Sequence, residues 1–420
     1  MERLPGFRDF YPEPLPHQDE WSADTRNYLF GQWREIARRY GFREYDGPPL
    51  EPLELFTAKS GDEIVGQLYN FVDKGERAVA LRPEMTPTLA RMVAAAERQY
   101  KKPLKWFAIP QLFRYERQQK GRLREHFQLN CDILGEADPS ADAELIALLI
   151  DVLRSLGLTA ADFIIRLSSR NAWQEFFQQR ASDPAREYDF YQVIDKMERE
   201  EPDRTKEKLA AIGIQAADVV SFIDEAKPTD ELAKILDNLA ARGLREFVKI
   251  DYNVIRGLAY YTGPVFEAFD RKGQFRAIAG GGRYDHLVKL ISGGKVNLPA
   301  LGFGMGDVVL TELLKERGLL PKTEAAPKAY CLIEDETLRE PSLALIQNLR
   351  ENRFAIEYSL TPAKSDKQFK RALELDATYT IKLERGDDGE LRLRFKNLKT
   401  RAEQLVDPSE AATHLRSGAE

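Results

Sequence analysis

The chain has 420 residues, 43% of them hydrophobic and 31% charged, with 62 lysines and arginines against 68 aspartates and glutamates for a net charge of −6. That balance excludes a disordered chain and a general nucleic-acid coat while permitting local basic patches, and the length calls for two or three domains. The apolar runs fall far short of a membrane span and MERLPGFRDF has no hydrophobic signal region, so a cytoplasmic protein is expected; four scattered histidines argue against a zinc site, and Cys131 and Cys331 read as buried thiols.

Residues 17–40 carry apolar side chains at helical spacing up to Gly41, and a strand-like FREYDG then leads to the stop Pro48-Pro49. From Trp106 to Tyr115 the chain is apolar and aromatic, and from Phe127 to Leu134 polar and apolar residues alternate, so two strands flank a polar loop. Alternation puts Gln128, Asn130 and Asp132 on one face and Leu129, Cys131 and Ile133 on the other. At a rise of roughly 3.3 Å per residue, Gln128 and Asp132 span about 13 Å, which suits a small ligand lying along a sheet. The loop run from Arg114 to Arg124 holds five positive charges, one carboxylate and a glycine. It reads equally as a phosphate site or as a solvated hairpin tip.

A second amphipathic helix occupies 143–156 and leads into the strand FIIRLSS, after which 172–240 is helical, charged and poor in glycine, an inserted module without a catalytic cluster. Arg256 to Gly263 (RGLAYYTG) places a cation and two adjacent tyrosines on a strand; the arginine either stabilises developing negative charge or pairs with Asp251 or Glu267. Ala279 to Asp285 (AGGGRYD) reads first as a tight turn, although three glycines also let backbone approach a ligand. Gly302 to Gly306 (GFGMG) fits a strand-to-helix junction, and neither it nor Gly293-Gly294-Lys295 has the spacing of a dinucleotide or Walker-type phosphate loop. A proline-bounded linker, 321–327, precedes alternating strand and helix patterns of a small α/β domain. In it, Leu391, Leu393 and Phe395 alternate with Arg392, Arg394 and Lys396, either a basic stripe for RNA or a charged sheet edge.

Together these segments resemble the class II aminoacyl-tRNA synthetases, and among them the histidyl-tRNA synthetase family. Helix, strand and Pro48 look like motif 1, the dimer-forming element, and FRYERQQKGRLREHFQLNCDILGE looks like motif 2. RGLAYYTGPVFEAF and AGGGRYDHL resemble the two peptides peculiar to the histidine enzymes, and ALRPEMTP resembles their ammonium-binding segment. The resemblance implies an α+β fold: a class II antiparallel sheet flanked by helices in a catalytic domain at 1–325, a helical insertion at about 172–240, and an α/β anticodon-binding domain at 327–420. It implies a homodimer that uses ATP, with Mg2+ expected, to join L-histidine to histidine tRNA.

Carried onto this sequence, the resemblance makes Arg256 and Arg114 the catalytic cations on the reacting phosphate. Histidine would meet both arginines together with Glu84, Thr86, Gln128, Asp132, Tyr260, Tyr261 and Tyr284. ATP would meet Arg114, Glu116, Arg122, Arg283, Gly304 and Gly306, and the tRNA acceptor end would meet Arg117, Gln119 and Lys120. Metal ligands are not legible. Two departures stand out: Ala259 replaces an aspartate, and Val308-Val309 replace the Glu-Arg of motif 3, whose arginine stacks on adenine and touches the γ-phosphate. Arg122 or Arg283 is expected to compensate. The alternative is the histidine-sensing regulatory subunit of ATP phosphoribosyltransferase, which usually lacks the C-terminal domain and the catalytic arginine that this chain has.

Overall fold

A computed structural model describes residues 2–12, 21–60, 62–115, 123–198, 200–255, 261–321 and 327–417. The chain divides into two units, Met1–Pro321 and Lys322–Glu420. The first begins with helix α1 (Ala23–Arg39), β1 (Arg43–Glu44), β2 (Leu50–Pro52), α2 (Leu53–Ser60), β3 (Asn70–Val72), β4 (Ala78–Leu81) and α3 (Thr86–Ala96). It continues through β5 (Leu104–Ala108), β6 (Gln111–Phe113), β7 (Glu125–Leu134), α4 (Ser140–Ser155) and β8 (Phe163–Ser169). Five helices follow, α5 (Arg170–Arg180), α6 (Glu187–Met197), α7 (Pro202–Ile212), α8 (Ala216–Glu225) and α9 (Asp230–Ala241). The unit closes with β9 (Val248–Ile250), β10 (Pro264–Asp270), β11 (Ala279–Arg283), α10 (Leu287–Ile291), β12 (Ala300–Gly306) and α11 (Asp307–Glu316).

Nine strands form the main sheet in the order β1-β5-β7-β12-β11-β10-β8-β9, with β6 also on β7. Its interior pairs are antiparallel, and only the outer pairs β1·β5 and β8·β9 are parallel. The strand expected from Trp106 to Tyr115 is broken at Pro110, which has no N–H for the ladder. The two pieces nevertheless keep one register on β7, Ala108 opposite Asn130 and Gln111 opposite Phe127. Helix α1 starts at Ala23 because the Ser22 hydroxyl oxygen accepts the Thr25 N–H at 3.0 Å, and Asp24 and Arg38-Arg39 suit the two ends of its dipole.

Helix α4 is the keel of this unit. Its apolar face is wide, with Leu145, Ile146, Leu148, Leu149, Ile150, Val152 and Leu153 fully buried, while Glu144, Asp151 and Arg154 form its narrow polar side. It packs beneath β7 and β12, with α1 and α9 beside it. Leu129, Cys131 and Ile133 of β7 and Leu301, Phe303 and Met305 of β12 join its core, which leaves the alternate residues of both strands on the opposite face.

In the second unit β13 (Ala329–Cys331), α12 (Arg339–Glu351), β14 (Ile356–Tyr358), α13 (Ser365–Glu374), β15 (Tyr379–Arg385), β16 (Leu391–Asn397), β17 (Glu403–Val406) and α14 (Ala411–Ser417) build a sheet ordered β14-β13-β15-β16-β17. Leu393 and Phe395 are buried as their alternation demands. The basic stripe beside them is neither an edge nor a row of open charges. β17 covers β16, and Arg392 pairs with Asp388 at 2.5 Å, Arg394 with Glu384 at 2.6 Å and Lys396 with Glu403 at 2.8 Å. The stripe is charge-balanced by its own domain.

The N-terminal segment is fastened to the first unit by one buried cation. Arg8 donates through Nε to Glu125 Oε1 at 2.7 Å and lies 2.9 Å from Asp307 Oδ2, with all three side chains at most 4% exposed. Asp307 also accepts the Phe127 N–H at 3.0 Å, and Gln111 donates to Glu125 at 3.0 Å, so the starts of β7 and α11 meet at this cluster. Phe7 packs on Tyr69 and Phe113, and the Gly6 carbonyl accepts the Arg124 N–H at 2.9 Å. Removing one partner of a buried ion pair typically costs about 3–5 kcal/mol, because the remaining charges stay dehydrated. Arg8→Ala is therefore expected to lower the unfolding free energy of this unit by an amount of that order, read as a fall in its urea midpoint; an unchanged midpoint would contradict the clamp.

Candidate active-site cleft

Because β7 and β12 turn their large side chains toward α4, their other face is open for chemistry. Gln128, Asn130 and Asp132 stand on it from β7, opposite Gly306, Gly304 and Gly302 of β12. A Cβ on Gly302 would overlap the Asp132 carboxylate, and one on Gly304 would come within 2.7 Å of Gln128. The glycines are the floor that lets both polar side chains lean across the neighbouring strand. The same applies to AGGGRYD, whose glycines form not a turn but the buried strand β11, where a Cβ on Gly281 would overlap the Gly302 carbonyl and one on Gly282 would lie 2.7 Å from the Pro264 carbonyl oxygen. The close approach of three backbones, invisible in composition, overrides the turn propensity of glycine.

Above this floor lies a cavity of about 790 Å³, within the range of small-molecule and cofactor sites. Glu84, Thr86, Arg114, Gln128, Asp132, Tyr261, Tyr284, Gly304 and Gly306 all line it. The turn carrying Glu84 is held from behind by Arg82, which is buried and donates to Asp46 at 3.0 Å, Gly47 O at 2.6 Å and Gln111 O at 3.1 Å. Arg114 continues the cavity-facing parity of its strand and donates through Nε to Pro83 O at 3.0 Å, tying the base of the basic hairpin to the same turn. Asp132 is 3% exposed, and its Oδ1 accepts the Tyr284 hydroxyl at 2.5 Å. Burial pushes its pKa up to about 7, while the Tyr284 hydrogen bond pulls it back down.

Several expected residues lie outside the described ones: Glu116, Arg117, Gln119, Lys120 and Arg122 in the hairpin loop, and Arg256, Ala259 and Tyr260 in the segment before Tyr261. Residues 251–255 form a turn after β9 rather than a strand, and Tyr261 precedes β10. Arg283 does not reach the cavity. Parity turns it to the other face of β11, where it donates to Asp142 and to the carbonyls of Glu136 and Asp138, the latter at 3.1 and 2.9 Å. It is a buried strut and cannot stand in for the motif 3 cation. Val308 and Val309, at the start of α11, do line the cavity.

The sequence reading missed the wall made by β8, β10 and the helical insertion. Arg166 on β8 holds Glu198 at 2.9 Å and Asp251 at 3.4 Å, and Lys249 holds Asp251 at 2.8 Å, so Asp251 already has two cations. Glu198 and Asp195 bring the insertion to the cavity wall. Arg170, the first residue of α5, brackets the RGLAYYTG segment: its N–H donates to Gly263 O at 2.9 Å and its Nη1 to Ile255 O at 3.4 Å. Its guanidinium lies 3.8 Å from the ring centroid of Tyr191 in α6, so the insertion also backs that bracket.

The profile of the histidyl-tRNA synthetase family matches residues 15–307. A histidine–tRNA ligase of Opitutus terrae is 43% identical over 99% of this chain and 98% of its own length. The crystal structure of histidyl-tRNA synthetase from Nostoc sp. PCC 7120 superposes with a TM-score of 0.81 at 22% identity, covering 99% of both chains. A Bacillus halodurans structure described as an ATP phosphoribosyltransferase regulatory subunit/histidyl-tRNA synthetase gives 0.71 at 22% identity over 88% of this chain and 96% of its own. At that identity the two structures establish the fold.

Asp132 gives the cleft a pH signature. Its folded pKa of about 7 lies above the ordinary carboxylate range, so folding is opposed increasingly as pH rises from about 4 to 7, and fully above that. Asp132→Asn keeps the acceptor for Tyr284 and removes the buried charge. The variant should melt higher than the parent, by a larger margin at pH 8 than at pH 5; an equal margin at both would rule the assignment out.

Proposed function

This chain belongs to the histidyl-tRNA synthetase family, and from that membership we propose that the cleft activates L-histidine with ATP and passes the histidyl group to the 3′ end of histidine tRNA. One observation carries the assignment to this cleft: Asp132, dehydrated and steadied by Tyr284 on one oxygen, stands on the same strand face as Gln128. A carboxylate and an amide in this setting accept and donate to an imidazole, and a site built to hydrogen-bond its substrate discriminates strongly against analogues that cannot. Glu84 and Thr86 take the ammonium group, and Tyr261 and Tyr284 border the ring.

Histidine activation requires no general base. The carboxylate of histidine is already ionised, attacks the α-phosphorus of ATP in line with the departing pyrophosphate, and forms histidyl-adenylate. Arg114 and Arg256 neutralise charge that develops on the phosphoryl oxygens. The tRNA 3′ hydroxyl then attacks the histidyl carbonyl, the acyl–phosphate bond breaks to release AMP, and the hydroxyl proton leaves with the phosphate or to water. Among the described residues no group of three His, Cys, Asp or Glu side chains could hold a metal. Magnesium usually keeps several waters and binds through substrate phosphates, so here it arrives with the nucleotide.

Leu50 and Phe71 are exposed on the same face of the sheet ordered β2-β4-β3, an apolar surface for a second copy of the chain in a homodimer. No helix among the described residues is long and apolar enough to cross a membrane, which fits a cytoplasmic enzyme. The anticodon role falls to residues 327–420. The regulatory reading rests on likeness of fold, whereas the ligase reading has a relative of high identity along nearly the whole chain.

Purified protein should exchange pyrophosphate into ATP only when histidine is present and should charge histidine tRNA; histidine binding without exchange would favour the regulatory reading. Arg256→Ala is expected to slow exchange about 10²- to 10³-fold while changing histidine affinity little. Arg117→Ala with Lys120→Ala should impair charging more than exchange. Equal losses would remove the hairpin tip from tRNA contact.

A further inference from the structure

We propose that Arg276, in the turn between β10 and β11, is the phosphate-binding cation of the cleft at the end where Val309 stands. The inference rests on the ATP-dependent reading above and names the residue that holds the far end of the nucleotide. A triphosphate brings several negative charges into the cavity and needs cations at more than one point along it. Three arginines among the described residues line that cavity: Arg114, Arg166 and Arg276. Arg114 stands at the hairpin base beside Pro83. Arg166 holds the carboxylates of Glu198 and Asp251 and stacks 4.4 Å from the centroid of Phe269, which places it on the insertion wall.

Arg276 stands elsewhere. β11 pairs with β12 through Ala279 opposite Met305 and Gly280 opposite Gly304. Continuing that antiparallel register past its last pair carries Ile278, Ala277 and Arg276 alongside Gly306, Asp307 and Val308, which is the first turn of α11. Val308 and Val309 of that turn and Arg276 all line the same cavity, and Arg276 is exposed on its wall. The cation thus comes from the turn leading into β11, next to a helix start that lacks one. Its planar fork can take two phosphate oxygens together, while the valines beside it offer the nucleotide only an apolar surface.

Equilibrium binding tests this without relying on turnover. The probes are α,β-methylene-ATP, AMP and histidine, titrated by calorimetry into the full chain and into Arg276→Ala. The expected result is about tenfold weaker binding of the triphosphate analogue, with AMP and histidine each within twofold of the parent. Adding Val309→Arg to Arg276→Ala, which returns a guanidinium from the neighbouring helix, should restore most of the lost affinity; Arg276→Lys should restore part of it. Unchanged triphosphate affinity in Arg276→Ala overturns the proposal, and so does an equal weakening of AMP, which would mean a distorted pocket rather than a lost phosphate contact. Failure of the parent protein to exchange pyrophosphate would strike the proposed reaction alone, since these titrations read the nucleotide contact directly.

Discussion

Three strands can carry a ligand-sized hollow at the centre of a sheet only if most of the side chains that would fill it are absent, and that constraint governs the first unit. Gly302, Gly304 and Gly306 on β12, with Gly280 and Gly282 on β11, supply the absence. Glycine in a strand is unfavourable, since it loses the most freedom on folding and packs nothing. The cost is offset on the other face, where Leu301, Phe303 and Met305 alternate with those glycines and pack on the enclosed helix α4. One face of a strand provides cohesion and the other vacancy, at a period of two residues.

The polar groups around that hollow divide by their partners. Arg8, Arg82 and Arg283 are buried and held by carboxylates or carbonyls at two or more points each, so they brace the backbone that carries the site. Arg114 and Asp132 are tied at one point each, by Pro83 and Tyr284, and keep further hydrogen-bonding capacity toward the cavity. A brace turns its donors to the protein, because a buried polar group without a partner is costly; a substrate contact needs one left over. The distinction separates Arg283 from Arg114 more firmly than any motif does.

Much of this was legible where the relevant physics is local. Strand parity placed Gln128, Asn130 and Asp132 together because side-chain direction in a strand depends only on the backbone, and α4, the insertion helices and the alternating second unit follow from hydrophobic period. The rest depends on partners remote in sequence. AGGGRYD looked like a turn because its requirement for glycine lies in Gly302, Phe303 and Pro264, which no local pattern announces. Arg283 looked free because Asp142 is far upstream, and the basic stripe of β16 looked open because Glu384 and Glu403 sit on strands that pair with it. Arg170 belongs to no motif; its role emerges only once Ile255 and Gly263 are seen to meet at one residue.

The cluster that joins Arg8 to Glu125 and Asp307 also sets an order of events during synthesis. Arg8 leaves the ribosome well before Asp307, with the whole sheet between them in sequence. At a typical 5–20 residues per second, the cation waits on the order of tens of seconds before its second carboxylate emerges. Contacts of such long sequence separation form late. The nascent unit can assemble α1, β5 to β7 and the insertion helices while the β12 side of its cavity is still unmade, and the N-terminal segment then locks it once α11 has been made. The cavity, walled in part by β12 and the start of α11, is thus a property of the finished unit.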